Sequence, residues 1–228
     1  TLTATGGTNG TIYWQGTTGG GTSTVNSTNP QSVSSTGTYY FRSRSTAGCW
    51  GNEGSASVTI NTSSTAPSGI TGTTTICNGG STTLTQSGGA LGTGGVWYWY
   101  SGSCGSAFIS SGSASITVSP GSTTSYYVRA QGTCNTTTCA SATVTVNSVP
   151  GGVTTYNGGT QCGGSRTLTA GGGTNGTIYW QGTSSNGTST GTPSTNQTVS
   201  SSGTYYFRAY NGCGWGTEGS AAVTINSV

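Results

Sequence analysis

Thr1–Gln15, TLTATGGTNGTIYWQ, returns as Thr167–Gln181, TLTAGGGTNGTIYWQ, at an offset of 166 residues. Gly37–Arg42 (GTYYFR) returns at the same offset as Gly203–Arg208. Glu53–Asn61 (EGSASVTIN) returns as Glu218–Asn226 (EGSAAVTIN) one residue short of it. A diverged third copy lies between them: TLT at Thr83–Thr85, VWYWY at Val96–Tyr100, SYYVRA at Ser125–Ala130 and SATVTVN at Ser141–Asn147 follow in the same order. Self-similarity at a fixed period marks a repeat architecture. The central tryptophans Trp14, Trp99 and Trp180 stand 85 and 81 residues apart, so the unit is about 80 residues long.

Within each unit, runs of four to seven Val, Ile, Thr and aromatic residues alternate with Gly, Ser and Asn turns, and no 3.6-residue period occurs. This pattern predicts an all-β chain of short strands. Gly, Ser and Thr supply 128 of 228 residues, a composition that by itself would suggest disorder. Six Trp, 12 Tyr and three Phe at recurring positions argue instead for buried half-apolar strands. Unit length, a Trp on an early central strand and a Tyr-Tyr strand before a final VTVN or VTIN strand fit a seven-strand two-sheet sandwich. Pro67 in Thr62–Ser68 and Pro150 in Ser148–Gly152 mark semi-stiff linkers, giving repeats over 1–62, 63–150 and 151–228.

Charge is nearly absent: five Arg (42, 44, 129, 166, 208), two Glu (53, 218), and no Lys, Asp or His. General acid-base chemistry needs titratable groups beside the reacting atoms, and one Glu per repeat at most cannot form a carboxylate pair. The expectation is that the chain is not an enzyme and holds no catalytic residues. Calcium needs several carboxylates and zinc needs His or paired CxxC cysteines, so neither a metal nor another cofactor is expected. Five scattered Arg make no phosphate-tracking stripe, so no nucleic acid is expected as partner. The longest apolar runs are a few residues, far below the ~20 of a membrane-spanning helix, so no membrane insertion is expected.

The alternation places Trp14, Trp99 and Trp180 in the core with Ile12, Trp97 and Ile178. It sends Tyr98 and Tyr100 to the outer face, where the rings could stack on sugars or a neighbouring subunit, or pair across strands to cover the sheet. Arg42, Arg129 and Arg208 follow the tyrosines in every copy, with Glu53 and Glu218 as candidate partners; the simplest reading is an outer-face stack on a ring.

Seven cysteines leave one over. The third repeat contains only Cys162 and Cys213, which within one domain pair only with each other; their counterparts are Cys77 and Cys134. The expected staples are therefore Cys77–Cys134 and Cys162–Cys213, about 4 kcal/mol each in the chain-entropy model. Cys104 and Cys139 align with Gly19 and Glu53 in the first repeat and with Ser185 and Glu218 in the third. They are replaced together, as expected of residues that touch. Cys162 precedes the TLT strand by five residues, so its first-repeat equivalent would fall ahead of Thr1. The first repeat is thus expected to lack its N-terminal strand, and Cys49 to find its partner outside residues 1–228, in a preceding segment or a neighbouring subunit.

The blocks WYW (Trp97–Trp99), SCGS (Ser103–Ser106), ITVSPGSTTSYYVRA (Ile116–Ala130), GTCNTTTCAS (Gly132–Ser141) and TVTVN (Thr143–Asn147) resemble the Ig-like repeats of very long surface adhesins and filament proteins of gliding, type-IX-secreting bacteria. In antibody-type domains the two Cys flank the central Trp from within strands; here they lie before the TLT strand and after the Tyr-Tyr strand. The resemblance implies tandem, disulfide-stapled immunoglobulin-like β-sandwiches outside the cell, on the surface or in a secreted filament. It implies a structural or adhesive role, with neighbouring copies head to tail as partners and surface glycans as a further class. The alternative is a carbohydrate-binding or spacer module of a secreted hydrolase.

Overall fold

A computed structural model describes residues 1–228, and every regular element in it is a β-strand. No helix is long and apolar enough to cross a membrane. The chain divides into two compact units: residues 1–63 with 92–94 and 132–135, and residues 64–91, 95–131 and 136–228.

The first unit is built on one antiparallel sheet, β1 (Gly10–Trp14), β2 (Gly37–Ser45) and β3 (Trp50–Val58), in that order. Period-2 alternation on β2 buries Tyr39 and Phe41 and turns Arg42 and Arg44 away. Opposite this sheet, pairing is reduced to a single bridge between Leu2 and Gln31. Ile12 and Phe41 line an open depression of 180 Å3 with Arg42, Ser43 and Gly54.

The second unit holds two separate apolar cores. In the middle repeat, β4 (Gly69–Thr71), β6 (Thr82–Ser87) and β9 (Ser115–Val118) form one sheet, ordered β4-β6-β9. The facing sheet is ordered β5-β11-β10-β7-β8, from β5 (Thr75–Cys77), β11 (Ala140–Asn147), β10 (Thr124–Gln131), β7 (Val96–Ser101) and β8 (Ala107–Ser111). β5 runs parallel to β11 and the other pairs are antiparallel. Leu84 from one sheet meets Trp99, Val128 and Val144 from the other, all fully buried, and the Trp99 indole N–H donates to the Ser113 carbonyl at 3.0 Å. The third repeat repeats this plan. β12 (Val153–Tyr156), β14 (Arg166–Gly172) and β16 (Asn196–Val199) face β13 (Gly159–Cys162), β19 (Gly219–Asn226), β17 (Gly203–Asn211) and β15 (Thr177–Gly182), with β18 (Gly214–Trp215) attached to β17. Leu168 and Phe207 are its fully buried centre.

The fold is an immunoglobulin-like β-sandwich, and a local device of that fold recurs in the first and third repeats. The Tyr205 hydroxyl donates to the Ser201 carbonyl at 2.8 Å, and Tyr39 donates to Ser35 at 2.6 Å. In each, the phenol at the start of the strand bonds backbone four residues upstream, the tyrosine corner.

The central tryptophans do not share one environment. Trp99 is fully buried, whereas Trp14 and Trp180 are half-buried, each stacked on a Tyr and meeting a Phe edge-on (Tyr39 at 5.2 Å and Phe41 at 4.8 Å; Tyr205 at 5.4 Å and Phe207 at 4.9 Å). β7 is flanked by two full strands, β10 and β8, while β1 and β15 have a full strand on one side only; on the other, β15 meets a single bridge, Tyr179 to Pro193, and Trp14 N donates to Asn26 O at 2.8 Å.

Candidate functional site

On the outer face of the Tyr-Tyr sheet, every repeat lays an arginine over an aromatic ring. Arg42 lies 5.4 Å from the Trp50 ring, Arg208 5.4 Å from Trp215, and Arg129 5.1 Å from Tyr100. The guanidiniums are tied down by carbonyls. Arg42 Nε and Nη2 donate to Gly51 O at 3.1 and 3.0 Å, and Arg208 Nη1 donates to Asn186 O and Gly187 O at 3.1 and 3.3 Å. Arg42 stands opposite Glu53 in the strand register, yet the carboxylate turns to the loop beyond β1, accepting the Gly20 N–H at 2.6 Å. Glu218 likewise accepts from the Ser185 hydroxyl at 2.9 Å and the Asn186 N–H at 2.5 Å. Both glutamates therefore tie a loop to a strand, and neither confronts a second carboxylate.

The same tie is covalent in the middle repeat, where Cys104 is bonded to Cys139 with 6.0 Å between Cα atoms. Three repeats thus solve one problem, pinning the loop after the Trp strand to the last strand, by two chemistries.

Tyr98 and Tyr100 do not form the expected exposed ladder. Tyr100 is buried under Arg129, with the Gln131 amide oxygen accepting from its hydroxyl at 2.7 Å and from Arg129 Nε at 3.0 Å. Tyr98 is half-buried against Phe108 at 6.1 Å. The exposed ring is Phe108, 58% accessible. Outward direction from a strand does not ensure exposure when long side chains on the neighbouring strand fold over the ring.

The cysteine pairing differs from the expectation. Cys77 is bonded to Cys213, across two repeats, with 5.4 Å between Cα atoms, and Cys134, Cys162 and Cys49 are free and exposed. Strand geometry excludes the pairing within a repeat. Cys162 stands opposite Asn226 at the end of β19, while Cys213 lies between β17 and Gly219, where β19 begins. Seven residue steps along β19, from Gly219 to Asn226, separate the two ends, about 23 Å, against the roughly 4.4–6.8 Å that a disulfide spans. Cys77 stands opposite Asn147 at the end of β11 in the same way, and Cys134 precedes the opening of that strand at Ala140. The two cysteines of one repeat belong to opposite ends of a sandwich, and the Cys77–Cys213 bond joins unlike ends of the middle and third repeats.

The joint around this bond is packed. Asn211 Nδ2 donates to Ser148 O and to Asn175 O, both at 2.9 Å, and Gly151 N donates to Thr174 O at 2.9 Å. A Cβ on Gly176 would fall 2.5 Å from the Pro150 ring, so the turn at Asn175-Gly176 admits the linker only as glycine. Ser148–Gly152 is therefore seated rather than a free spacer. Sequence reasoning also missed Gln15 and Gln181, both buried. The Gln181 amide accepts from Ser189 N and donates to Ser189 O, each at 2.9 Å, and Gln15 treats Ser23 in the same way at 2.8 and 3.0 Å. Their identical place after the central Trp was the available signal.

Residues 65–148 match the model of a family described as "Ig-like domain CHU_C associated". No curated protein matches the chain. Among solved structures, it is similar to "Crystal structure of mouse coronavirus receptor-binding domain complexed with its murine receptor" at 12% identity, covering 68% of this chain and 99% of that one, with a TM-score of 0.46. It is similar to Drosophila OTK extracellular domains 3-5 at 12% identity, covering 84% and 71%, with a TM-score of 0.41. Murine CEACAM1b is 16% identical, with 68% and 99% covered and a TM-score of 0.40.

Proposed function

We propose that the chain is a load-bearing structural and adhesive segment of an extracellular surface fibre, with three successive repeats divided near residues 62 and 150 and neighbouring copies of the repeat as its head-to-tail partners. The observation that carries this reading is the disulfide between Cys77 and Cys213, which joins one sandwich to the next. Tension applied to the two ends of the chain passes from Cys77 to Cys213 through the bond, bypassing the 135 residues between them. The family match of the middle repeat and the disulfides support an oxidising, extracellular setting, and the resemblance to surface proteins of gliding, type-IX-secreting bacteria agrees with it. A surface with almost no charge and abundant hydroxyls suits an exposed filament.

Single-molecule extension of the full chain tests the reading. Reducing agent should lengthen the fully extended chain by about 450 Å, the reach of the residues released between Cys77 and Cys213. An unchanged length would refute it. The carbohydrate-binding alternative rests on exposed Phe108 beside Tyr98, and glycan-array binding abolished by Tyr98→Ala or Phe108→Ala would favour it instead.

A further inference from the structure

Arg42, Arg129 and Arg208 are one position of the repeat, and two residues further on the same strand stand Arg44, Gln131 and Tyr210. In the third repeat this residue joins the aromatic cluster, the Tyr210 ring lying 4.8 Å from Trp215. In the middle repeat it closes the cluster, with the Gln131 amide oxygen accepting from both Tyr100 and Arg129. In the first repeat it does neither. Arg44 brings a second guanidinium to a ring that already carries one, 5.7 Å from Trp50 against 5.4 Å for Arg42. Arg42 donates from all three of its nitrogens to the Gly51 and Gly21 carbonyls. Arg44 donates only from Nε, to Gly48 O at 3.3 Å, and its two Nη groups meet no acceptor in the chain. No carboxylate lies between the two cations, since Glu53, the one acidic residue of the repeat, is turned to the Gly20 N–H. Like charges gathered on one ring repel, and a bound anion relieves that repulsion. Thr11 stands opposite Arg44 on β1 and Tyr13 opposite Arg42, each with a hydroxyl that has no partner in the chain, while Trp50 faces Arg44 from β3. Tyr13 also meets the Trp50 ring edge-on at 5.9 Å. Side chains directly opposed in this way lie about 4.5–5.5 Å apart at Cβ, so one open guanidinium, two free hydroxyls and an aromatic wall share a single patch.

We propose that Arg44, with Thr11, Tyr13 and Trp50, is a binding site for a uronic-acid residue of an acidic polysaccharide. The Nη1 and Nη2 fork of Arg44 takes the sugar carboxylate in two parallel hydrogen bonds, and the Thr11 and Tyr13 hydroxyls take neighbouring hydroxyls of the sugar. This names a ligand class for the adhesive half of the fibre reading and rests on it. The donor set selects the ligand. Arg42 is committed to carbonyls, so a single free fork stands among hydroxyls and an aromatic ring, which matches one carboxylate set among sugar hydroxyls. The closely spaced phosphates of a nucleic acid need a row of free cations, which this face does not have. The position also explains the difference between repeats: Gln131 and Tyr210 satisfy their own clusters and leave no open fork, so the middle and third repeats do not share the site.

The full chain is titrated into fluorescein-labelled oligogalacturonate, into its methyl ester and into a labelled DNA duplex, and the anisotropy is read. Saturable binding to oligogalacturonate is expected, with the methyl ester and the duplex weaker by about tenfold or more, because each lacks the lone carboxylate among hydroxyls. Arg44→Tyr installs the residue that the third repeat already packs on its tryptophan, and it should weaken binding about tenfold or more. Arg44→Lys keeps the charge without the fork and should weaken binding several-fold, while Phe108→Ala should leave it unchanged. No binding to oligogalacturonate, equal binding to the ester or the duplex, parent-like affinity in Arg44→Tyr or Arg44→Lys, or loss of binding in Phe108→Ala overturns the site. The extension measurement on a single chain uses no saccharide, so the site and the fibre reading fall separately.

Discussion

Thr1–Gln15 and Thr167–Gln181 differ at one position, Thr5 against Gly171, yet they occupy different structures. Leu168 sits within β14 between two partner strands and is fully buried; Leu2 makes a single bridge to Gln31 and is half-exposed. Gln31 and Gln197 are themselves equivalent, so the bridge is what remains of the β14–β16 pairing. Phe207 is sealed in a core, while Phe41 lines an open depression. Downstream the copies converge: the Trp stack, the tyrosine corner, the buried Gln and the Arg over Trp have nearly the same geometry in both. Local sequence therefore specifies what a strand's side chains do to one another, whereas the strands laid alongside decide whether it is buried.

The comparison breaks most readily at the leucines. Leu168→Ala should cost about 3–5 kcal/mol, a cavity in a closed core, while Leu2→Ala should cost under about 1 kcal/mol. Chemical denaturation followed by Trp fluorescence measures both, and equal losses would show that the first repeat closes a core of its own. Next in size is the staple. Replacing Cys77 and Cys213 together by Ser should lower the stability of the second unit by about 2–4 kcal/mol, leaving the first unit's transition in place. A single shifted transition for the whole chain would contradict it.

Where the two copies agree, the effects should agree too. Gln15→Ala and Gln181→Ala each strand the backbone groups of a serine and should each cost about 1–3 kcal/mol, within error of one another. Smaller still, Glu218→Gln weakens a charge-assisted tie at a partly exposed loop and should cost about 1 kcal/mol or less. Faster amide exchange at Asn186 alone is its expected signature, and protection unchanged at that residue would remove the glutamate from the loop's support.

Much of this was legible in the sequence. The repeat located every central Trp and the final strands, and the joint replacement of Cys104 and Cys139 pointed to a contact that the structure makes covalent. Three features were not legible, each for a physical reason. Alignment within a repeat pairs Cys162 with Cys213 but says nothing of the 8-residue strand between their ends, so the bond from Cys77 into the next repeat was invisible. Alternation placed Tyr100 outward, but its burial comes from Arg129 and Gln131 on the adjacent strand, a relation set by register. The equal treatment of Trp14, Trp99 and Trp180 missed a difference in degree: β7 has a full strand, β8, on its second side, where β15 has only the bridge from Tyr179 to Pro193, and Trp180 packs against its core only partly buried.

The most direct test of the account is a disulfide map of the full chain, digested without reductant and with free thiols blocked. The predicted linkages are Cys77 to Cys213 and Cys104 to Cys139, with no bond between Cys162 and Cys213. Peptides linking Cys77 to Cys134 and Cys162 to Cys213 would mean that each sandwich is stapled to itself, and the covalent joint between repeats would be refuted.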